Sequence, residues 1–276
     1  MPLVLPPSLG HGGQAETNLT AASRVGTIVT ASATSHVKGA WVSLIDPTSR
    51  PSYGVWVRAS TVGAATTITG QLLDIGYGPT GGGSEQVLIP NLATGMAAST
   101  GSAAGFGKAW WFPVYIPAGV RVSARVQALI VSDTVLVEIF LHQFSLYPVS
   151  AGPVEPYGAD TANSRGTSVT TGNGVFGAWA QLTASTLRPH RFWASAYDQL
   201  GDVSVANSES LLQLGTGPNA SNVSIINQTV LSQGSAELVS AVFHLSYAPV
   251  PAGKPIFARI ASGEAEARGV IAYGVD

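Results

Sequence analysis

The chain has 276 residues, of which 45% are hydrophobic and only 10% charged, against ~25% charged in typical soluble domains. Thirteen basic and fifteen acidic residues leave a net charge of −2 with no basic block, which argues against binding nucleic acid through phosphate neutralisation. The absence of cysteine excludes disulfides and thiolate metal sites and suits a protein made in a reducing cytoplasm; no stretch approaches the ~20 apolar residues of a membrane-spanning helix.

Residues 1–20 are rich in proline and glycine and lack the basic start and apolar core of a signal peptide. They read as an extended arm in which Leu3, Val4 and Leu5 are candidate assembly contacts. Trp41–Ile45 and Tyr53–Arg58 then read as strands flanking the corner loop Asp46–Pro51. Beyond Leu72–Gly78, the run Thr80-Gly81-Gly82-Gly83-Ser84 lacks the lysine and the helix of a phosphate cradle; the strand-like Glu85–Ile89 follows it instead. Helical candidates are only weak, such as Leu92–Ala98, and Gly95 undercuts even that one.

Trp110 and Trp111 are adjacent in a predicted strand, so their side chains leave on opposite faces. One belongs in the core. The other, with Tyr115, is a candidate contact for a neighbouring subunit or a glycan, because aromatic anchors are favoured in both settings. Val120–Gln127 alternates cleanly: Val120, Val122, Ala124 and Val126 on one face, Arg121, Ser123, Arg125 and Gln127 on the other. The two arginines are expected to pair with cross-strand carboxylates. Val135–Leu141 is nearly continuous in apolarity, as a strand covered on both faces would be.

After a proline-rich stretch the pattern repeats. Gly39-Ala40-Trp41 returns as Gly177-Ala178-Trp179, Arg50-Pro51 as Arg188-Pro189, Leu72-Leu73 as Leu211-Leu212, and Pro117-Ala118-Gly119 as Pro251-Ala252-Gly253, in the same order and at nearly constant spacing. Units of about 135 residues are domains rather than solenoid repeats. Glycine and proline recur too often for helices. The expected fold is therefore all-β: two tandem antiparallel β-sandwiches, jelly-roll-like, related by internal duplication. The divisions are an arm over 1–20, a first sandwich over 21–147, a linker over 148–160 and a second sandwich over 161–276. Trp41/Trp179 and Trp56/Trp193 read as core tryptophans kept by the fold. Counting from the Pro-Ala-Gly turn, Trp110-Trp111 answer to His244-Leu245.

No catalytic constellation stands out. The five histidines share no metal-ligand spacing, and Asp74, Glu85, Asp133, Glu138, Asp198, Asp202, Glu209 and Glu237 are spread over different elements, whereas a glycosidase needs two carboxylates a few ångströms apart. The chain is read as non-enzymatic, with no catalytic residue, metal or cofactor.

In Leu72-Leu73-Asp74-Ile75-Gly76, Glu85-Gln86-Val87-Leu88-Ile89-Pro90-Asn91-Leu92 and Phe112–Arg121 the chain resembles a group of tailed-bacteriophage virion proteins, strongly in the first unit and less in the second, where Gln213 replaces Asp74. The resemblance implies a structural component of the virion, made in the bacterial host cytoplasm. A tail, baseplate or fibre position is expected first. Capsid decoration and glycan-binding receptor recognition are the alternatives. The expected partners are further copies, other virion proteins and a host surface glycan, without nucleic acid or membrane insertion.

Overall fold

The computed structural model describes residues 16–19, 26–61, 70–94, 108–145, 147–150, 152–199, 209–217, 224–234, 237–238, 242–243, 245–263 and 267–276. Among these every regular element is a strand. The first unit carries β1 (Glu16–Thr17), β2 (Thr27–Thr30), β3 (Val42–Ile45), β4 (Gly54–Thr61), β5 (Gln71–Gly78), β6 (Gln86–Ala93), β7 (Lys108–Phe112), β8 (Arg121–Ala128) and β9 (Thr134–His142). The second carries β10 (Glu155–Tyr157), β11 (Ala159–Asp160), β12 (Arg165–Thr170), β13 (Gly172–Asn173), β14 (Ala180–Thr183), β15 (His190–Gln199), β16 (Glu209–Thr216) and β17 (Ser224–Gly234). It continues through β18 (Glu237–Leu238), β19 (Val242–Phe243), β20 (Ser246–Val250), β21 (Ile256–Ser262) and β22 (Ala267–Val275).

In the first unit β2-β9-β4-β7 form one sheet and β3-β8-β5-β6 the other. This is the strand order that two Greek keys give a jelly roll. The second unit repeats it as β12-β22-β15-β20 and β14-β21-β16-β17. The register repeats as well. Asp74 lies opposite Arg125 as Gln213 lies opposite Arg259, and β3 and β14 share an irregularity at Ser43/Ile45 and Gln181/Thr183. The all-β tandem-sandwich reading therefore holds, down to individual strand pairs. Leu92 and Ala93 end a strand, not a helix.

The repeated landmarks have local causes. Gly39 and Gly177 each bring the backbone so close to the preceding strand that a Cβ would sit 2.3 Å from the carbonyl oxygen of Thr30 or Thr170. Gly119 and Gly253 turn at φ of 73° and 77°, the left-handed region that favours glycine. Each turn is tied to the neighbouring corner loop by one buried threonine. Thr48 Oγ1 donates to Pro117 O, while Thr48 N donates to Val120 O. Thr186 repeats this with Pro251 O and Lys254 O.

The two units share one continuous hydrophobic core. Tyr273 of β22 packs edge-on against Phe112 at 6.2 Å. Its hydroxyl donates to Asn91 O and accepts from Ala93 N on β6. Gln127 donates to Thr161 O and Ser164 Oγ, and β19 pairs in parallel with β7. The stretch expected to be a linker, 148–160, corrects that boundary: its β10 pairs with β22 and its β11 with β12, so it is built into the second sandwich. Of the expected arm, Glu16 and Thr17 pair with β9; Leu3, Val4 and Leu5 lie outside the described residues.

Candidate functional site

The residues of the first sandwich that most invite contact are aromatic. Along β4, β7 and β9 one side-chain set is wholly buried: Val55 and Val57, Trp110 and Phe112, Ile139 and Leu141. On the other face Trp56 stands directly opposite both Trp111 and Phe140. Trp56 and Trp111 ring centroids are 5.7 Å apart, and Trp111 stands edge-on to His142 at 5.1 Å. Gly54 leaves room for the Trp111 ring, which a Cβ there would meet at 2.2 Å.

The adjacent tryptophans do leave on opposite faces, as alternation requires. The contact role expected of them is corrected. Trp110 is 0% and Trp111 9% exposed, because Trp56, His142 and Gly54 close over the outward ring. Tyr115 is 44% exposed and stacks at a tilt on Tyr53, itself 37% exposed, at 5.5 Å. The register keeps Leu245 at the place of Trp111 and moves a different equivalence by one residue: Ser52 bridges Ile116 as His190 pairs with Val250, so Trp193 stands at the place of Val55, not of Trp56. The row Leu141–Val55–Phe112 thus becomes Gly274–Trp193–Ser246 in the second unit, and the outward pair Phe140–Trp56 becomes Tyr273–Ala194.

A second exposed apolar set lies on the turn between β8 and β9. Leu129, Ile130 and Val131 are all exposed there, as are Val37 and Ile28 elsewhere in the unit. Leu129 N donates to Gly70 O, which fixes the start of this turn. The second unit has Gly263-Glu264-Ala265 at the same place in sequence.

The outer face of β5 and β8 is polar. Asp74, nearly buried, accepts from Lys38 Nζ at 2.7 Å, Arg125 Nε at 2.9 Å and Asn91 N at 2.9 Å. The Arg125 guanidinium lies over Trp41 at 4.5 Å. Arg121 meets Glu85 at 3.1 Å. Both arginines thus find the carboxylates expected of them. Burial pulls the Lys38 ammonium down from 10.5 to about 8, against the opposing pull of Asp74. Trp41 and Trp179 are not core residues. Both are half-buried and serve as stacking platforms for Arg125 and Arg259. Trp56 is likewise half-buried, and of these four tryptophans only Trp193 is fully enclosed.

One cluster has no counterpart in the sequence reading. His190, with its side chain fully buried, lies between Glu155 Oε2 at 3.2 Å from Nε2 and Asp276 Oδ1 at 3.3 Å from Nδ1. Nε2 also meets the Tyr157 hydroxyl at 2.8 Å, and that hydroxyl donates to Glu155. Arg188 Nε bridges Glu155 at 2.9 Å and Asp276 at 3.2 Å. Burial lowers the His190 pKa, opposed by the two carboxylates. Burial and the Glu155 hydrogen bond raise that of Tyr157. The carboxylates are far apart in sequence, so spacing could not reveal them; the only signal was the repeated Arg188-Pro189. Both carboxylates are engaged by Arg188 and His190, which makes the cluster a clasp between β10, the corner loop and the end of β22. Among the described residues no group of three or more histidine, cysteine or acidic side chains is arranged to hold a metal ion.

No protein-family profile matches the chain, and no curated protein matches it significantly. Solved structures do show weak similarity. PNGF-II aligns over 96% of this chain at 10% identity and a TM-score of 0.36, the chain spanning 65% of its length. The N-terminal CBM22-1-CBM22-2 tandem domain of Paenibacillus barcinonensis Xyn10C aligns over 93% of this chain and 91% of its own length, at 10% identity and a TM-score of 0.27. The infectious bursal disease virus Gx strain structure aligns over 96% and 72%, at 10% identity and a TM-score of 0.24. At these values none of them assigns the chain to a family.

Proposed function

We propose that this chain is a non-enzymatic structural component of a tailed-phage virion, associated with the tail, baseplate or fibre, that assembles through apolar and aromatic contacts of its first unit. The observation that carries the reading is the exposure of Tyr53, Tyr115, Leu129, Ile130 and Val131 on a chain with only 10% charged residues. Monomeric proteins keep such side chains scattered and offset them with charge. Assembly rewards them, since burying a Leu or Ile side chain in a subunit contact contributes ~1.5–3 kcal/mol. The two sandwiches are packed through one shared core, which lowers the ordering entropy that opposes association. The sequence resemblance to phage virion proteins points in the same direction.

The test is to purify particles of the phage that encodes the chain, detect it by peptide mass spectrometry and locate it in particle density. The reading expects the chain at stoichiometric level, with the Leu129–Val131 turn or the Tyr53–Tyr115 pair against a neighbour. Absence from washed, intact particles would refute it.

A further inference from the structure

The duplication places the same arginine in two different settings. In the first unit Arg125 stacks on Trp41 and its Nε donates to a carboxylate, Asp74, which Lys38 also engages. In the second unit Arg259 stacks on Trp179 at 4.3 Å, and its Nε donates to the neutral Gln213 Oε1 at 2.8 Å. The place of Lys38 is taken by Phe176, whose ring lies 4.7 Å from the same guanidinium. The frame around both sites is the same: Gly39 N donates to Val126 O, and Gly177 N to Ile260 O. Phe176 is further fixed by a bridge to Ala261 on β21. The lysine–aspartate pair has thus been exchanged as a unit for phenylalanine and glutamine.

The consequence is an unneutralised guanidinium. Among the described residues no carboxylate lies within ion-pair distance of Arg259, whereas Arg121, Arg125, Arg165 and Arg188 each have one. Arg259, Phe176 and Trp179 are all half-buried, so the group is neither sealed in the core nor free in solvent. With Nε held by Gln213 and the guanidinium against two rings, its Nη edge is left as a pre-oriented donor pair. Such an edge fits one carboxylate in bidentate fashion, and aromatic walls strengthen the attraction by excluding water.

We propose that Arg259, Phe176, Trp179 and Gln213 form a binding site for a carboxylate-bearing sugar, a uronate, in the second unit. The carboxylate meets the Arg259 edge, and the pyranose face lies on the aromatic rims. The surroundings select this class. The adjoining residues Asn173, Gly174 and Val175 are exposed and uncharged, so a single cation stands among neutral and aromatic groups. That suits one carboxylate on an apolar ring face better than a phosphate, or an acidic peptide, which is held by several cations. In the first unit Asp74 stands at the place of Gln213 and already neutralises the arginine through Nε, so the charge that would draw a second carboxylate is offset there. The proposal stands independently of the virion role.

The experiment titrates the full chain with sodium glucuronate, methyl glucoside and N-acetylaspartate at constant ionic strength, following the Arg259 Nε–H and Trp179 indole N–H signals by NMR. Glucuronate is expected to shift both saturably, with methyl glucoside and N-acetylaspartate each at least tenfold weaker. Arg259→Gln removes the response. Gln213→Glu, which installs an internal carboxylate like that of the first unit, also weakens glucuronate at least tenfold without lowering the melting temperature. If Gln213→Glu does not fold, Arg259→Gln and Arg259→Lys carry the test, lysine retaining charge but losing the bidentate edge and hence most affinity. The proposal falls if glucuronate leaves the signals unmoved, if Arg259→Gln or a folded Gln213→Glu binds like the parent, or if N-acetylaspartate binds as tightly as glucuronate, which would make the site a receptor for acidic protein side chains.

Discussion

Lys38 carries a charge where the fold least favours it. Its ammonium is held by Asp74 Oδ1 and Leu72 O, yet burial outweighs both and brings its pKa to about 8. The unfolded chain keeps this proton up to the ordinary value of 10.5. Between those two values the unfolded state binds more protons than the folded one, so this residue makes stability rise with pH across that window. Urea midpoints measured from pH 7.5 to 10 are expected to climb for the parent relative to Lys38→Met. Parallel profiles for the two proteins would show that Lys38 titrates normally. His142 and His190 act in the opposite region. Burial lowers both, so their contribution is present above the unfolded value of ~6.5 and is lost as the pH falls below it.

At the scale of the element, β5 and β8 hold a node that the chain has built in two chemistries: Lys38–Asp74–Arg125 and Phe176–Gln213–Arg259. Removing one partner of a buried pair costs ~3–5 kcal/mol, and Asp74→Gln alone is expected near the lower figure because Lys38 can shed its proton. The double replacement Lys38→Phe with Asp74→Gln copies the second unit and should recover ~1–3 kcal/mol of that loss, the range of coupling found between contacting residues. A double-mutant cycle by chemical denaturation measures it; strict additivity would show that the two sites do not act as one. The alternation of β8 and its arginine–carboxylate pairing were legible in sequence because both depend on a period of two and on neighbouring strands. The burial of Trp111 was not. Period alone sends its ring outward, and only the packing of Trp56 and His142, with Gly54 beneath, decides that outward does not mean exposed.

For the whole molecule the decisive contact is Tyr273. Its hydroxyl serves two backbone groups of the other unit and its ring meets Phe112. Tyr273→Phe leaves the Asn91 carbonyl and the buried Ala93 amide without that partner, at a cost of about 1–3 kcal/mol. Since one core runs through both units, calorimetry is expected to record a single transition for the parent and a single, lowered one for the variant. Two separate transitions in the parent would show that the sandwiches unfold independently.

The sequence by itself determined the strands, their duplication and the glycines and prolines at equivalent corners, because backbone constraints and hydrophobic period are local and repeat wherever the fold repeats. Arg125 and Arg259 stand the same number of residues beyond the repeated Pro-Ala-Gly turns. Only the tertiary structure decided what surrounds them. Asp74 and Lys38 are brought to one, Gln213 and Phe176 to the other, and Glu155 and Asp276 to His190, across distances in sequence that no period encodes. Charge, burial and access at a site depend on which strands become neighbours, and that is a property of the closed sandwich and not of any one segment.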